Sequence, residues 1–154
     1  MNRAFSACRQ HGTTTVEFAI VGVVALLLLF TVIEFSRILF TLNMLDEGVR
    51  RGARVAAVCD VGDAAIADAT AFVRLPGLTT SNVVTEYLGD TGNTLADPSG
   101  ADYPSIASVR VRIVGYSFPV ALPFIAATFA APVISATMPR ESLGVPYFGA
   151  PPAC

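Results

Sequence analysis

Gly12-Thr13-Thr14-Thr15-Val16-Glu17 opens onto sixteen residues without a charge, Phe18 to Ile33, and this stretch decides how the rest of the chain is organised. A continuous apolar run of this kind makes a membrane-length helix, because a helix satisfies its own backbone hydrogen bonds where water cannot. From Val16 to Ile33 is 18 residues, about 27 Å as a helix, against a hydrocarbon thickness of roughly 30 Å. Glu17 sits at the mouth of that run. A carboxylate at the edge of hydrocarbon costs roughly 3 kcal/mol on insertion scales, so its presence calls for a function.

Outward from this stretch, the preceding residues carry Arg3 and Arg9 and no acid, which sets the N-terminus on the cytoplasmic side by the positive-inside tendency. On the far side, Glu34 and Arg37 are three residues apart, mark the second interface and can pair there. A removable secretory signal shares the basic start and apolar core. It is disfavoured here: the run is long, no small-x-small cleavage site precedes Glu34, and the helical pattern continues unbroken.

Beyond the run, Phe35, Ile38, Leu42, Leu45, Val49, Gly52, Ala56 and Cys59 recur in steps of three and four, one stripe on one helix face. Asp46 precedes Arg50 by four, and Glu47 precedes Arg51 by four, the favourable order for helix ion pairs on a solvated face. A helix over residues 13–59 would be about 70 Å long. Gly48, Gly52 and Ala56 form a small-xxx-small series that permits close approach of another helix or of the chain's own distal part.

The distal residues suit a small α+β head. Residues 64–74 pattern as a second helix with Asp63 near its cap and Pro76-Gly77 as its end. Asn82 to Leu88 and Ser108 to Tyr116 are strand-like, the latter alternating Val109, Val111 and Ile113 with Arg110 and Arg112; Val133 to Met138 supplies a third strand of an antiparallel sheet. Between the first two strands lies a polar loop with Asp90, Asn93, Asp97 and Asp102, which lacks EF-hand spacing and reads as solvated. The uncharged stretch from Tyr116 to Met138 is long enough to cross a membrane, but Pro119, Pro123 and Pro132 argue against a second span. A hydrophobic connection under the head, or one lying against another protein subunit or the membrane surface, suits it better.

Composition narrows the classes further. Of 154 residues, 53% are hydrophobic and 14% charged, and mean hydropathy is +0.61, beyond an ordinary soluble domain. Net charge is −2 and all ten basic residues are Arg, with no broad cationic surface for nucleic acid. Asp90-Thr91-Gly92 matches the aspartic-protease triplet, but that chemistry needs two carboxylates and only one copy exists. The sole histidine is His11, and Cys8, Cys59 and Cys154 fit no metal-ligand spacing, so no enzyme activity, metal or cofactor is expected.

Gly12-Thr-Thr-Thr-Val-Glu-Phe-Ala-Ile, the apolar run, Glu34-Phe35-Ser36-Arg37 and Arg51-Gly52-Ala53-Arg54-Val55-Ala56 together resemble the TadE-like family, pseudopilins or minor pilins of the tight-adherence (Flp-type) pilus system. The resemblance covers about residues 12–57, with a weaker echo in Tyr116, Phe118, Leu122-Pro123, Ile134, Ala136 and Arg140-Glu141; many members carry Pro early in the apolar run, where this chain has Gly22. It implies cleavage between Gly12 and Thr13 by a prepilin peptidase, where the small glycine lets the peptide approach closely. Glu17, then the fifth residue, would complement the helix macrodipole and meet the N-terminal amine of a neighbouring subunit.

The chain therefore divides into a leader (1–12), a transmembrane and extended helix (13–59), an α+β head (60–143) and an irregular tail (144–154). Its expected partners are membrane lipid, the peptidase, other pilins and the assembly platform. Its expected place is the inner membrane, single-pass, with the head on the periplasmic or extracellular side. Once the leader leaves, Cys59 and Cys154 remain, either as a disulfide favoured by an oxidising compartment or as two thiols. The competing class is a membrane-tethered envelope binding module that never joins a filament.

Overall fold

The computed structural model describes residues 11–72, 75–122, 125–145 and 154. Most of the leader, including Cys8, the end of the expected second helix at Val73 and Arg74, and tail residues 146–153 lie outside the described residues. One helix, α1, runs unbroken from His11 to Val58. The short helix α2 spans Ala64–Ala71, capped by Asp63, whose Oδ1 accepts from Ala65 N at 2.8 Å. Five strands follow: β1 Val83–Leu88, β2 Ser108–Ile113, β3 Ser117–Leu122, β4 Ile125–Ala130 and β5 Ile134–Pro139.

The fold is the expected α+β arrangement. An antiparallel sheet in the order β1-β2-β5 lies across the distal half of α1, with β2 central. Register puts Tyr87 opposite Val109, Val109 opposite Met138 and Val111 opposite Ala136. Because side chains alternate across a pleated sheet, this one row faces α1 and the neighbouring row faces outward. On the outer face Arg112 reaches Glu86 Oε1 at 2.6 Å, with Arg110 at 3.8 Å from Glu86 Oε2. Expected strand ends shift slightly: β2 stops at Ile113 because Gly115, at φ +66°, turns the chain.

The core lies between the sheet, α2 and α1 and has two parts. Ala53, Ala56, Ile66, Tyr87, Ile106, Val109, Val111 and Leu143 form the distal one. Leu45, Val49, Ile113, Tyr116 and Phe118 form the one nearer the apolar run.

Two expectations are corrected. The stretch expected as a hydrophobic connection contains a β3–β4 hairpin, a second sheet additional to the three strands expected. Phe35, assigned to the buried stripe, is 60% exposed, and Glu34 is the buried residue at that level, at 6%. The inward face reads Glu34, Ile38, Thr41, Leu45, because β3 covers Glu34 and satisfies its carboxylate, as described below.

The end of α1 is closed by the far end of the chain. Ala57 O accepts from Glu141 N at 3.0 Å, and Val58 O from Gly144 N and Ser142 Oγ at 2.6 and 3.0 Å. These carbonyls would otherwise be orphaned at a helix C-terminus. The turn that delivers them places Leu143 at φ +45° and Gly144 at φ +77°. A left-handed leucine costs roughly 1–2 kcal/mol. Burying its side chain to 2% exposure among the distal core residues returns about 1.5–3 kcal/mol.

Candidate functional site: the helix and its three attachments

The proximal half of α1 is bare. An 18-residue window of this helix has mean hydropathy 2.8 and none of it is buried against the rest of the chain. Phe18 is 79% exposed, and Ile20, Leu28, Leu29 and Val32 are exposed with it. A surface this apolar and this bare is what a lipid-spanning helix presents. The chain thus has one N-terminal helix long and apolar enough to cross a membrane.

Gly12 and Thr13 are exposed and lie in the first turn of α1, and Glu17 is exposed one turn further on. Within the described part of α1, which runs from His11, Glu17 lies beyond the first turn. Among the described residues no cation forms an ion pair with Glu17.

The head meets α1 at three levels. The lowest is a clamp on Glu34. Its Oε1 accepts from Arg37 Nη2 at 2.7 Å and from the backbone N–H of Ala121 at 3.0 Å, while the same Arg37 nitrogen donates to Pro119 O. The acid and the cation therefore satisfy each other and both engage β3. The spacing of Glu34 and Arg37 is visible in the sequence. Their backbone partners 82 and 87 residues away are not.

The middle level is the small-residue face. Gly48, Gly52 and Ala56 are all buried. A Cβ on Gly52 would overlap Thr70 Oγ1 of α2, and would lie 3.1 Å from Thr70 Cβ and 3.3 Å from Val111 Cγ1. Here the glycine lets α2 and β2 approach the α1 backbone, so this part of the face is spent inside the molecule. Thr70 is fully buried and turns its hydroxyl back to Ile66 O at 2.7 Å. On the opposite, solvated face Asp46–Arg50 and Glu47–Arg51 pair at 2.9 and 2.7 Å, and the Arg51 guanidinium also lies 3.9 Å over the Phe72 ring. The Arg51 hydrogen bond holds the Glu47 carboxyl below its ordinary range.

The top level joins Cys59 to Cys154 in a disulfide, with Cα atoms 6.0 Å apart. It pins the chain terminus beside the Glu141–Gly144 cap. Nearby, Gly62 N donates to the Tyr87 hydroxyl at 3.0 Å, and Tyr103 donates to Leu143 O at 3.0 Å.

The acidic loop does other work. Asp97 Oδ2 accepts from Ala101 N at 3.3 Å and Asp102 Oδ2 from Asp97 N at 3.0 Å, so these carboxylates hold backbone donors of their own loop. Asp90 is exposed at the turn closed by Gly92 N to Gly89 O. Among the described residues no three of His, Cys, Asp and Glu gather as a metal set.

Comparison with known proteins shows that the family model for TadE-like protein matches residues 12–54, while no curated protein and no solved structure matches. The matched segment begins at Gly12, includes the bare apolar run and the Glu34–Arg37 pair, and ends on the face where α2 docks. Residues 12–54 are thus similar to the TadE-like family and lie on a membrane-length helix whose distal half bears an α+β head.

Proposed function

We propose that this protein is a pseudopilin or minor pilin acting in assembly of tight-adherence (Flp-type) pili, anchored by α1 and processed between Gly12 and Thr13 by a prepilin peptidase. One observation carries the reading. The TadE-like match begins at Gly12, and from there a lone acid, Glu17, leads into an apolar run whose side chains are exposed. Removal of the leader would bring Glu17 within the first turn and leave a free amine at Thr13. A carboxylate there complements the helix macrodipole and offers a partner to the amine of a neighbouring subunit. That pairing would offset the cost of holding the acid in apolar surroundings during extraction from lipid.

The protein is then a substrate of a peptidase rather than an enzyme, with its head on the far side of the inner membrane. Its partners are other pilins and the assembly platform. Intact-mass measurement of the membrane-extracted protein is expected to place the first residue at Thr13, and only where prepilin peptidase is present. A mature chain starting after Ile33 would show a removed secretory signal and end the pilin reading. Glu17→Ala should still insert while pilus assembly falls, and unchanged piliation would remove Glu17 from the mechanism. A protein that stays monomeric in the membrane and is indifferent to loss of pili would instead be a tethered binding module.

A further inference from the structure

We propose that the β3–β4 hairpin is a second membrane contact, lying in the headgroup and upper acyl region of the leaflet into which α1 emerges, so that the Glu34–Arg37 clamp sits within the interface rather than beyond it. The proposal rests on the membrane-anchored reading of α1.

Direction is the first ground. Phe118 belongs to the same core cluster as Leu45 and Val49, Pro119 O accepts from Arg37, and Ala121 N donates to Glu34. Each step along β3 therefore descends α1 toward Ile33, and the strands continue to the Leu122–Ile125 pair, one residue below Ala121. At about 3.3 Å per residue that end reaches the level where the apolar run stops.

Chemistry is the second. No residue from Tyr116 to Met138 is charged, and Ala121, Ala127, Thr128 and Phe129 are exposed. Such a surface beside a lipid-facing helix continues that helix's own apolar surface. The helix agrees from its side: past Glu34, Phe35, Leu39 and Phe40 remain exposed at 60, 43 and 59%. Neither charge of the pair interrupts this belt, because Glu34 is buried and satisfied twice, and Arg37 is neutralised by it.

Length is the third. Val16 to Ile33 is about 27 Å, short of a roughly 30 Å hydrocarbon layer, and any tilt shortens it further. Extending the contact to Phe40 adds about 10 Å of helix, enough to place Arg37 at phosphate height with its half-exposed guanidinium toward the headgroups. An interfacial element typically sinks roughly 5–10 Å into this boundary.

The chain has no tryptophan, so single tryptophans serve as depth reporters in the full protein. Three variants, Leu28→Trp on bare α1, Ala127→Trp on the hairpin and Thr137→Trp on the outer face of the three-stranded sheet, are reconstituted into phosphatidylcholine vesicles carrying bromine shallow or deep on the acyl chain. Leu28→Trp should be quenched best by deep bromine. Ala127→Trp should lose about half its emission to shallow bromine and less to deep bromine, as fits an interfacial position. Thr137→Trp should lose none. An Ala127→Trp signal as insensitive as that of Thr137→Trp, with Leu28→Trp quenched, overturns the hairpin proposal, leaves the anchor intact and hands the hairpin to a protein partner. An unquenched Leu28→Trp overturns the anchor and the hairpin contact together.

Discussion

Gly52→Ala tests whether α1 and the head are one packed unit. On an exposed helix this change would stabilise by about 0.8–1 kcal/mol, because alanine is the better helix former. Here the added methyl would overlap Thr70 Oγ1 and stand 3.1 Å from Thr70 Cβ and 3.3 Å from Val111 Cγ1. Thr70 is fully buried, and Val111 belongs to the central strand, so neither neighbour can yield freely. Overpacking of this kind costs about 1–3 kcal/mol and sometimes more, which offsets the propensity gain and leaves a net loss of up to about 2 kcal/mol. For a head of this size that is a fall in Tm of up to roughly 16 °C. Near-ultraviolet circular dichroism of the detergent-solubilised chain reads the head selectively, since Tyr87 and Tyr116 are buried there and the apolar run of α1 has no tyrosine. Thr70→Ala removes the overlapping hydroxyl and should itself cost about 1 kcal/mol through its lost hydrogen bond. Combined with Gly52→Ala it should cost less than the sum of the two, with a coupling of at least about 0.5 kcal/mol, as expected for residues in contact. A stabilised Gly52→Ala protein, or strict additivity in the double variant, would show that α2 does not rest on this glycine.

Two further outcomes follow from the head's construction. Reducing the Cys59–Cys154 bond, or replacing Cys154 with Ser, should lower head stability by about 2–5 kcal/mol, since the loop it closes spans 95 residues; equal unfolding curves with and without reductant would remove the disulfide from the stability of the head. Burial pushes both the Tyr87 and Tyr116 phenols above their ordinary value, so the folded state holds these protons longer than the unfolded chain does. Their contribution is complete below the unfolded value of about 10 and is lost as pH rises through the folded values. Melting temperature should therefore drop above about pH 10 while tyrosinate absorbance appears cooperatively with unfolding, and gradual titration of all tyrosines without loss of structure would contradict it.

What was legible in the sequence follows from the range of the forces involved. The apolar run, the i to i+4 pairs of Asp46 and Glu47, the Asp63 cap and the alternation of Val109, Val111 and Ile113 are local patterns, and each appears where the periodicity puts it. The β3–β4 hairpin was not legible. Its strands form an almost continuous apolar run interrupted by Pro119, which lowers any strand reading, and the residues between them lack the Gly or Asn turn signature. Phe35 was misplaced for a related reason. Hydrophobicity favoured it over Glu34 as the buried residue, but a carboxylate is buried readily once Arg37 and a backbone N–H from a distant strand satisfy it. The cap on Ala57 and Val58 had no signal before the fold, because its donors lie more than 80 residues away.

The three attachments explain why α1 stays helical after it leaves the apolar run. A segment of some 25 residues with Gly48 and Gly52 in it would be marginal alone in water, since each glycine costs about 1 kcal/mol and isolated helices gain little from propagation. Burial of Leu45, Val49, Ala53 and Ala56 supplies what propensity does not. The clamp at Glu34 and the disulfide at Cys59 then hold the two ends of that segment to the same body. A displacement of α1 along its axis would have to break contacts with β3 of the hairpin, with β2 and β5 of the three-stranded sheet and with the closing turn together. Movement of the helix therefore carries the head with it, the mechanical property that the proposed role as a pilus subunit requires.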